Sequence, residues 1–387
     1  VYGGVFDPSK NKAVESYDLS RVSCPVLAGS LLVSRMNTKQ HLGVAAAIRQ
    51  DFPNLYLPDR LWAVTFCGAE SRFIDWWTKT PAYRSEIEAV SVGTSSSMQN
   101  ISQSDFLQIR IELPDAETQL AIADYLDCET AGIDTLIDEQ QRLIEMLRER
   151  RAAVVDAALA PSSSWTGTTL KHMLSGVDQG VSPQAEAGLA DDPGSWGVLK
   201  AGCVNRGMFR QEEHKRLPND FGFDPAIAVE VGDVIVSRAS GSPDLVGSAA
   251  IVEHLDYQLI LSDKLFRLRP KGLVDPKFLA WSLNSGQYRV QVRRAISGAE
   301  GLANNLPLSK LRAFEMHHPS LEEQRRIVAY LDEKTAKIDL LIAETERFIE
   351  LSKERRSALI AAAVTGQIDV CEGASGECPI VQASDGQ

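Results

Sequence analysis

The feature that most limits how this chain can fold is that it repeats itself. Pro114-Asp115-Ala116-Glu117-Thr118-Gln119 returns as Pro319-Ser320-Leu321-Glu322-Glu323-Gln324. Tyr125-Leu126-Asp127 returns as Tyr330-Leu331-Asp332, Ile133-Asp134 as Ile338-Asp339, and Glu149-Arg150-Arg151 as Glu354-Arg355-Arg356. The offset is about 205 residues, and roughly half the positions of 114–160 are identical in the second copy, far beyond chance. The flanking regions repeat more faintly. Gly29 to Arg35 matches Gly232 to Arg238, and Asp59-Arg60-Leu61 matches Asp263-Lys264-Leu265. Trp76, Tyr83-Arg84, Gly93 and Asn100 match Trp281, Tyr288-Arg289, Gly298 and Asn305. The layout is head, helix, head, helix. Similar helices beside diverged heads predict one scaffold carrying two specificities. The first head lacks the counterpart of roughly 40 residues that open the second. The chain is therefore expected to be N-terminally incomplete relative to two full heads.

Both repeated segments read as long helices. Apolar residues fall three and four apart at Ile122, Leu126, Ile133, Ile137, Ile144, Leu147 and Val154. The second copy gives Ile327, Leu331, Ile338, Ile342, Ile349 and Leu359. That spacing is a coiled-coil seam, and Leu126, Ile133, Ile137, Ile144, Leu331, Ile338, Ile342 and Ile349 are its candidate pairing residues. Pro114 and Pro319 are expected in the first helical turn, where a missing N–H costs nothing. Thr130 and Thr335, Gln140 and Thr345, and Arg151 and Arg356 put polar groups on both seams at matching places, which fixes register. The expectation is an antiparallel pair; at about 1.5 Å per residue, 40 residues reach roughly 60 Å.

Each head reads as mixed α/β, so the fold class is two tandem α/β (α+β) domains separated by two long helices forming an antiparallel coiled coil. The division is a first domain over 1–113, a helical spacer over 114–160, a second domain over 161–318, a second spacer over 319–370 and a disordered tail over 371–387. Val231 to Arg238 is a turn feeding a strand, and Pro276 to Val292 reads as helical with Phe278, Trp281 and Leu283 toward a core. Ile74, Trp77 and Ile87 play the same parts in the first head, and the tryptophans are expected to pack in cores rather than stack on bases.

Charge bears on the partner. The net charge of −12 argues against a generic nucleic-acid binder. Yet residues 1–113 and 161–318 each come out near zero; the acidity sits in 114–160, about −7, and after Gly366, about −4. An acidic spacer between neutral heads fits DNA touching only the heads. Reading base edges needs donors and acceptors on loops that enter a groove; Arg can pair guanine, and Asn or Gln adenine. The first head offers Arg35, Asn37, Lys39, Gln40, Ser96, Gln99 and Asn100, and the second Arg238, Ser240, Arg293, Arg294, Asn304 and Asn305. Arg35 and Arg238 lie in a repeated context, so an internal structural bond competes with a DNA contact there.

No Asn-Pro-Pro-Tyr methylase motif, Gly-rich cofactor loop, phosphate loop or HExxH pair is present. The six cysteines show no zinc spacing and no disulfide framework, so free thiols are expected. No catalytic or metal-binding residue is assigned.

These motifs resemble the specificity subunit of type I restriction–modification systems. The resemblance rests on Gly-Asp-Val-Ile-Val-Ser-Arg (232–238), Pro-Ser-Leu-Glu-Glu-Gln-Arg-Arg-Ile-Val-Ala-Tyr-Leu-Asp (319–332), Lys-Ile-Asp-Leu-Leu-Ile (337–342), Glu-Arg-Arg-Ser-Ala-Leu-Ile (354–360) and Val-Thr-Gly-Gln-Ile-Asp-Val (364–370), and runs over essentially the whole chain. It implies a non-catalytic cytoplasmic subunit. Its two target-recognition domains each read half of a split double-stranded DNA site, and its helices set the gap between the halves. It also implies two modification (methyltransferase) subunits and restriction (nuclease and translocase) subunits as partners, with no membrane. S-adenosylmethionine, ATP and Mg would be bound by those partners, and this chain would hold no cofactor. Two alternatives stand beside this reading: the recognition subunit of a related bifunctional restriction–methylation enzyme, and a structural coiled-coil adaptor that binds no DNA.

Overall fold

The structure, a computed structural model, describes residues 1, 3–95, 98–296, 304–368 and 370. The expected tail, 371–387, lies outside them. The chain forms two compact units, Val1–Arg142 with Thr345–Gln387, and Leu143–Glu344. Each unit is one head on a piece of each long helix.

The first head contains β1 (Pro25–Val26), β2 (Leu31–Ser34), β3 (Met36–Asn37), β4 (Ala45–Ala47), β5 (Phe52–Tyr56) and β6 (Leu61–Val64). These are followed by α1 (Ser71–Trp77), α2 (Pro81–Val90), β7 (Val92–Ser95), β8 (Met98–Asn100) and α3 (Gln103–Phe106). Strand β2 is central, antiparallel to β4 and β6. All four of its residues are buried, as a run without polar alternation requires when both sheet faces are covered. A second small sheet has the order β3-β8-β7. The first long helix, α4 (Ala116–Ala158), then begins.

The second head repeats this path with additions. Before the repeat come β9 (Thr166–Thr169), α5 (Leu170–Met173), β10 (Leu174–Gln179), β11 (Trp196–Leu199) and β12 (His214–Arg216). Next are β13 (Val234–Ser237), β14 (Ala239–Ser240), β15 (Ala249–Ile251), β16 (Gln258–Ile260) and β17 (Leu265–Pro270). Then come α6 (Pro276–Ser282), α7 (Gly286–Ala295), β18 (Asn304–Asn305), α8 (Leu308–Arg312) and β19 (Glu315–His318), before the second long helix, α9 (Leu321–Val364). The central sheet, β10-β17-β13-β15, is that of the first head with one more strand. Among the described residues, β9, α5 and β10 have no counterpart in the first head. Accordingly β19 pairs with β9, whereas its repeat equivalent near 110–113 forms no strand and leaves Leu113 exposed. The single helix expected over 276–292 is two helices, broken at Leu283–Ser285, where the Ser285 hydroxyl accepts from the Tyr288 amide and caps α7. Phe278 and Leu283 are buried as expected, as are Ile74 and Ile87, while Trp77 is half-buried.

The long helices start two residues later than proline-opened helices would. Asp115 and Ser320 are the caps, accepting from the amides of Thr118 (2.9 Å) and Glu323 (3.3 Å), and Pro114 and Pro319 precede them. A side-chain acceptor satisfies an otherwise unpaired amide of the first turn, which proline at that position does not do. One turn in, Gln119 and Gln324 lock each helix to its head. Gln119 accepts from the Glu70 amide and donates to the Pro114 carbonyl, both at 2.8 Å. Gln324 accepts from the Asp275 amide at 2.8 Å and donates to the carbonyls of Leu273 and Pro319.

Within each unit the helix pieces pair antiparallel. In the first, Ile122, Ala123 and Leu126 of α4 share a core with Ile360, Ala363 and Val364 of α9 and with Leu31, Val33, Phe73 and Trp76 of the head. In the second, Val155 and Leu159 of α4 share one with Val328 and Leu331 of α9 and with Val234, Phe266, Phe278 and Tyr288. Arg356 is bidentate to Asp134 (2.8 and 3.0 Å), and Arg151 is bidentate to Asp339 (2.8 and 3.2 Å). Because each helix carries the same Asp and Arg 17 positions apart, antiparallel pairing brings each Asp to the other helix's Arg. Ile137, Ile144, Ile338 and Ile349 are buried on the seam, and Ile133 and Ile342 are half-buried. At the two helix ends the buried residue is Val155 or Ile360, one position past the expected Val154 and Leu359. There a head packs against the helix end beside the partner helix.

Cys24, Cys67 and Cys203 are free, but Cys128 is disulfide-bonded, against the expectation of free thiols throughout. No helix among the described residues is long and apolar enough to cross a membrane.

Candidate nucleic-acid interface

In both heads the chain leaves the central strand at an arginine and runs at once into a second short pairing. In the second head, β14 pairs antiparallel with β18, Ala239 opposite Asn305 and Ser240 opposite Asn304. In the first, β3 pairs with β8, Met36 opposite Asn100 and Asn37 opposite Gln99. Residues more than 60 positions apart are thereby gathered on one small platform, and the expected candidates Asn37, Gln99, Asn100, Ser240, Asn304 and Asn305 lie on it. Ser96 lies outside the described residues.

The loop that follows β3 in the first head, and that which follows β14 in the second, is tied down at its root. Tyr83 donates its hydroxyl hydrogen to the Gly43 carbonyl (2.6 Å), and Tyr288 does the same to Gly247 (2.9 Å). Burial pushes both phenols above their ordinary pKa, so they remain donors. The neighbouring arginines take the loop carbonyls. Arg84 donates to Leu42 and Lys39, and Arg289 to Val246, Pro243 and Asp244. Gly43 and Gly247 have φ of +73° and +78°. A Cβ there would lie 2.7 Å from Ile87 and 2.9 Å from Val292, so only glycine fits. The repeated Tyr-Arg pair seen in the sequence is this loop anchor. The two glycines carry the same signal, a shared position in both heads.

The candidate cations divide into held and open. Lys39 is exposed beside Glu88 (3.8 Å), and Gln40 is exposed. Arg293 is exposed and touches Asp244 (3.2 Å), and Arg294 beside it on the last turn of α7 is exposed. Arg238 is turned inward: its guanidinium lies 5.8 Å from the Phe266 ring centre, Nε donates to Asn305 Oδ1 (3.1 Å), and another nitrogen donates to the Asp263 carbonyl (3.3 Å). Arg35 lies similarly, 5.6 Å from the Trp62 ring centre. In the second head the repeated arginine thus makes internal bonds. Sequence reading passed over Arg60 and Lys264, which are exposed at equivalent places and whose carbonyls accept from the Arg35 and Arg238 amides. The repeat of Asp-Arg/Lys-Leu was the available signal.

Each platform stands on a head seated on its helices by an indole. Trp76 Nε1 donates to Asp127 and Trp281 Nε1 to Asp332, both at 3.1 Å. Arg356 and Arg151 lie over those rings, at 5.7 and 5.5 Å. The tryptophans are therefore packing residues, as expected. Among the described residues, no group of three or more His, Cys, Asp or Glu side chains is placed to hold a metal ion.

Two copies of one head, each presenting an anchored polar loop beside a small strand platform and seated on paired helices, define a duplicated recognition scaffold. No family model matches the chain. It is 24% identical over 378 residues to the type I restriction enzyme EcoKI specificity subunit of Escherichia coli K12, covering 94% of this chain and 78% of that protein. It is also 24% identical over 321 residues to the StySPI specificity subunit of Salmonella potsdam, covering 78% and 68%. Among solved structures it resembles a chain from a type I R-M system studied for complex assembly and conformational transition (TM-score 0.63, 18% identical, 89% and 83% covered). A second likeness is the HsdS subunit of Thermoanaerobacter tengcongensis (TM-score 0.50, 18% identical, 90% and 84% covered). The chain is therefore similar in sequence to type I restriction enzyme specificity subunits and shares the fold of those solved structures.

Proposed function

We propose that this chain is the DNA-reading subunit of a type I restriction–modification complex, itself without catalytic activity, and that each head reads one half of a bipartite site. The observation that carries this is the duplicated platform. The anchors repeat (Gly43 and Gly247, Tyr83 and Tyr288, Arg84 and Arg289), while the side chains between them differ. A shared frame with divergent tips is what two specificities on one scaffold need. The proposed contacts are Asn37, Lys39, Gln40, Ser96 and Gln99 in the first head, and Ser240, Arg293, Arg294 and Asn304 in the second. Arg35, Asn100, Arg238 and Asn305 stand at the roots. Arg60 and Lys264 add charge suited to phosphates, which supply affinity without sequence information. The proposed division is heads 1–113 and 161–318, helical spacers 114–160 and 319–370, and a tail over 371–387.

The partners in this reading are double-stranded DNA, modification subunits and restriction subunits, in the cytoplasm. S-adenosylmethionine, ATP and Mg belong to the partner subunits. Two modification subunits suit the exposed apolar residues that the repeat places equivalently on the helices, one pair in each unit: Leu143 and Met146 on α4, and Phe348 and Leu351 on α9. Two equivalent surfaces fit two copies of one partner.

Methylation-aware sequencing of the host genome, with and without the gene, tests the function. The expected result is one split adenine-methylated motif that vanishes with the gene. An unchanged methylation pattern would remove the proposal.

A further inference from the structure

We infer that Arg238 and Asn305 form a positioning clasp for the second head's 241–248 loop rather than a direct contact to bases, an inference that rests on the DNA-reading function proposed above. Arg238 joins three separated segments. Its amide donates to the Lys264 carbonyl (2.8 Å) and its carbonyl accepts from the Leu306 amide (2.8 Å). Its Nε donates to Asn305 Oδ1, and a terminal nitrogen reaches the Asp263 carbonyl. Immediately beyond it lie β14 and the loop held by Arg289; immediately before Asn305 lies the approach to β18. One side-chain bond thus ties the root of the 241–248 loop to β18. The guanidinium, packed toward Phe266, is half-buried with its Nε already engaged.

The first head carries the same pair in the open state. Arg35 and Asn100 occupy the equivalent positions, and their backbones make the same bonds: the Arg35 amide to Arg60, and the Ile101 amide to Arg35, each 3.0 Å. Yet Arg35 Nε and Asn100 Oδ1 are both buried without a hydrogen-bond partner, as is Gln99 Oε1. Losing a bond that is made exposes a buried group, whereas removing one that is already unpartnered costs little. The two heads therefore respond differently to the same substitution.

The test uses the full chain and duplexes carrying the methylated motif, intact or altered in one half, over a range of salt. Asn305→Leu is expected to weaken binding to the intact site about tenfold, a difference of about 1.4 kcal/mol. Asn305→Asp, which keeps the acceptor, is expected to hold affinity near wild type. Arg238→Gln is expected to weaken binding as Asn305→Leu does, and the double variant no further than either. The slope of log affinity against log salt is expected to stay unchanged, because no phosphate contact is lost. Asn100→Leu is expected to alter reading of the other half-site by less than threefold. A slope reduced by about 0.9 in Arg238→Gln, with Asn305→Leu harmless, would make Arg238 a DNA contact and overturn the clasp. Amide exchange over 239–248 without DNA gives a second readout. It is expected to speed up in Arg238→Gln and Asn305→Leu alike, and unchanged exchange in both would also overturn the clasp. Failure of the wild-type chain to prefer any sequence would count against the function, with the exchange data still deciding the clasp.

Discussion

The reciprocal ion pairs offer the sharpest handle on the helix pairing. Consider Arg151→Ala in the second unit. The guanidinium makes two bonds to Asp339 and covers the Trp281 ring, with the Arg151 and Asp339 side chains 24% and 39% exposed. A hydrogen bond to a charged partner is worth about 1.5–3 kcal/mol in protected settings, and exposure of this degree brings the pair down to about 1 kcal/mol. The cation–π contact adds about 0.5–1 kcal/mol. The expected loss is thus about 2 kcal/mol, of which about 1 kcal/mol is coupling between positions 151 and 339. Amide exchange over 143–158 and 321–344 reads this locally, and 2 kcal/mol corresponds to a roughly 30-fold drop in protection. Arg151→Asp should be worse than Ala through like-charge repulsion, and adding Asp339→Arg should restore most of the loss. If the reversed pair protects no better than Arg151→Asp alone, the two side chains do not meet and the antiparallel register is wrong.

Three further outcomes follow from the packing. Leu331→Ala removes a fully buried side chain shared by α9 and the second head and should cost about 2–5 kcal/mol, measured by urea unfolding; a loss below 1 kcal/mol would contradict the core assignment. Gly247→Ala forces a methyl against Val292 and Tyr288 at positive φ and should cost about 1–3 kcal/mol, with faster exchange in the 241–248 loop; wild-type behaviour would refute the anchor. Asp178 is held below the ordinary carboxylate pKa: burial pushes it up, but hydrogen bonds from Arg267 and Arg269 outweigh that. Its contribution is therefore present above the unfolded value of about 3.9 and is lost as pH falls through the lower folded value. Asp178→Asn should flatten the loss of thermal stability as pH falls below about 4, and parallel curves for the two proteins would contradict it.

What was legible from sequence follows the range of the interactions. The helices and their seam were visible because their signal is local periodicity, and Ile137, Ile144, Ile338 and Ile349 are buried where the spacing puts them. The reading slipped where a distant element intervened. Val155 and Ile360 replace Val154 and Leu359 because a head packs against those ends beside the partner helix. The prolines fall before the first turn rather than in it because Asp115 and Ser320 take the cap position, where the unpaired amides need an acceptor. The repeated context of Arg238 allowed for an internal bond, but the partner was illegible because Asn305 lies 67 positions away. The repeat hinted only that both arginines do the same job. The cysteine pattern was silent on Cys128, whose bond no spacing rule would have indicated.

The most direct test of the whole account is a head exchange. Residues 161–318 are replaced by the corresponding segment of a related protein with a different target, and the methylated motif is read by methylation-aware sequencing. Two independent readers on one scaffold predict that one half of the motif changes while the other half stays as it was. A motif that remains wholly unaltered, in a chain that still folds and assembles, would contradict it.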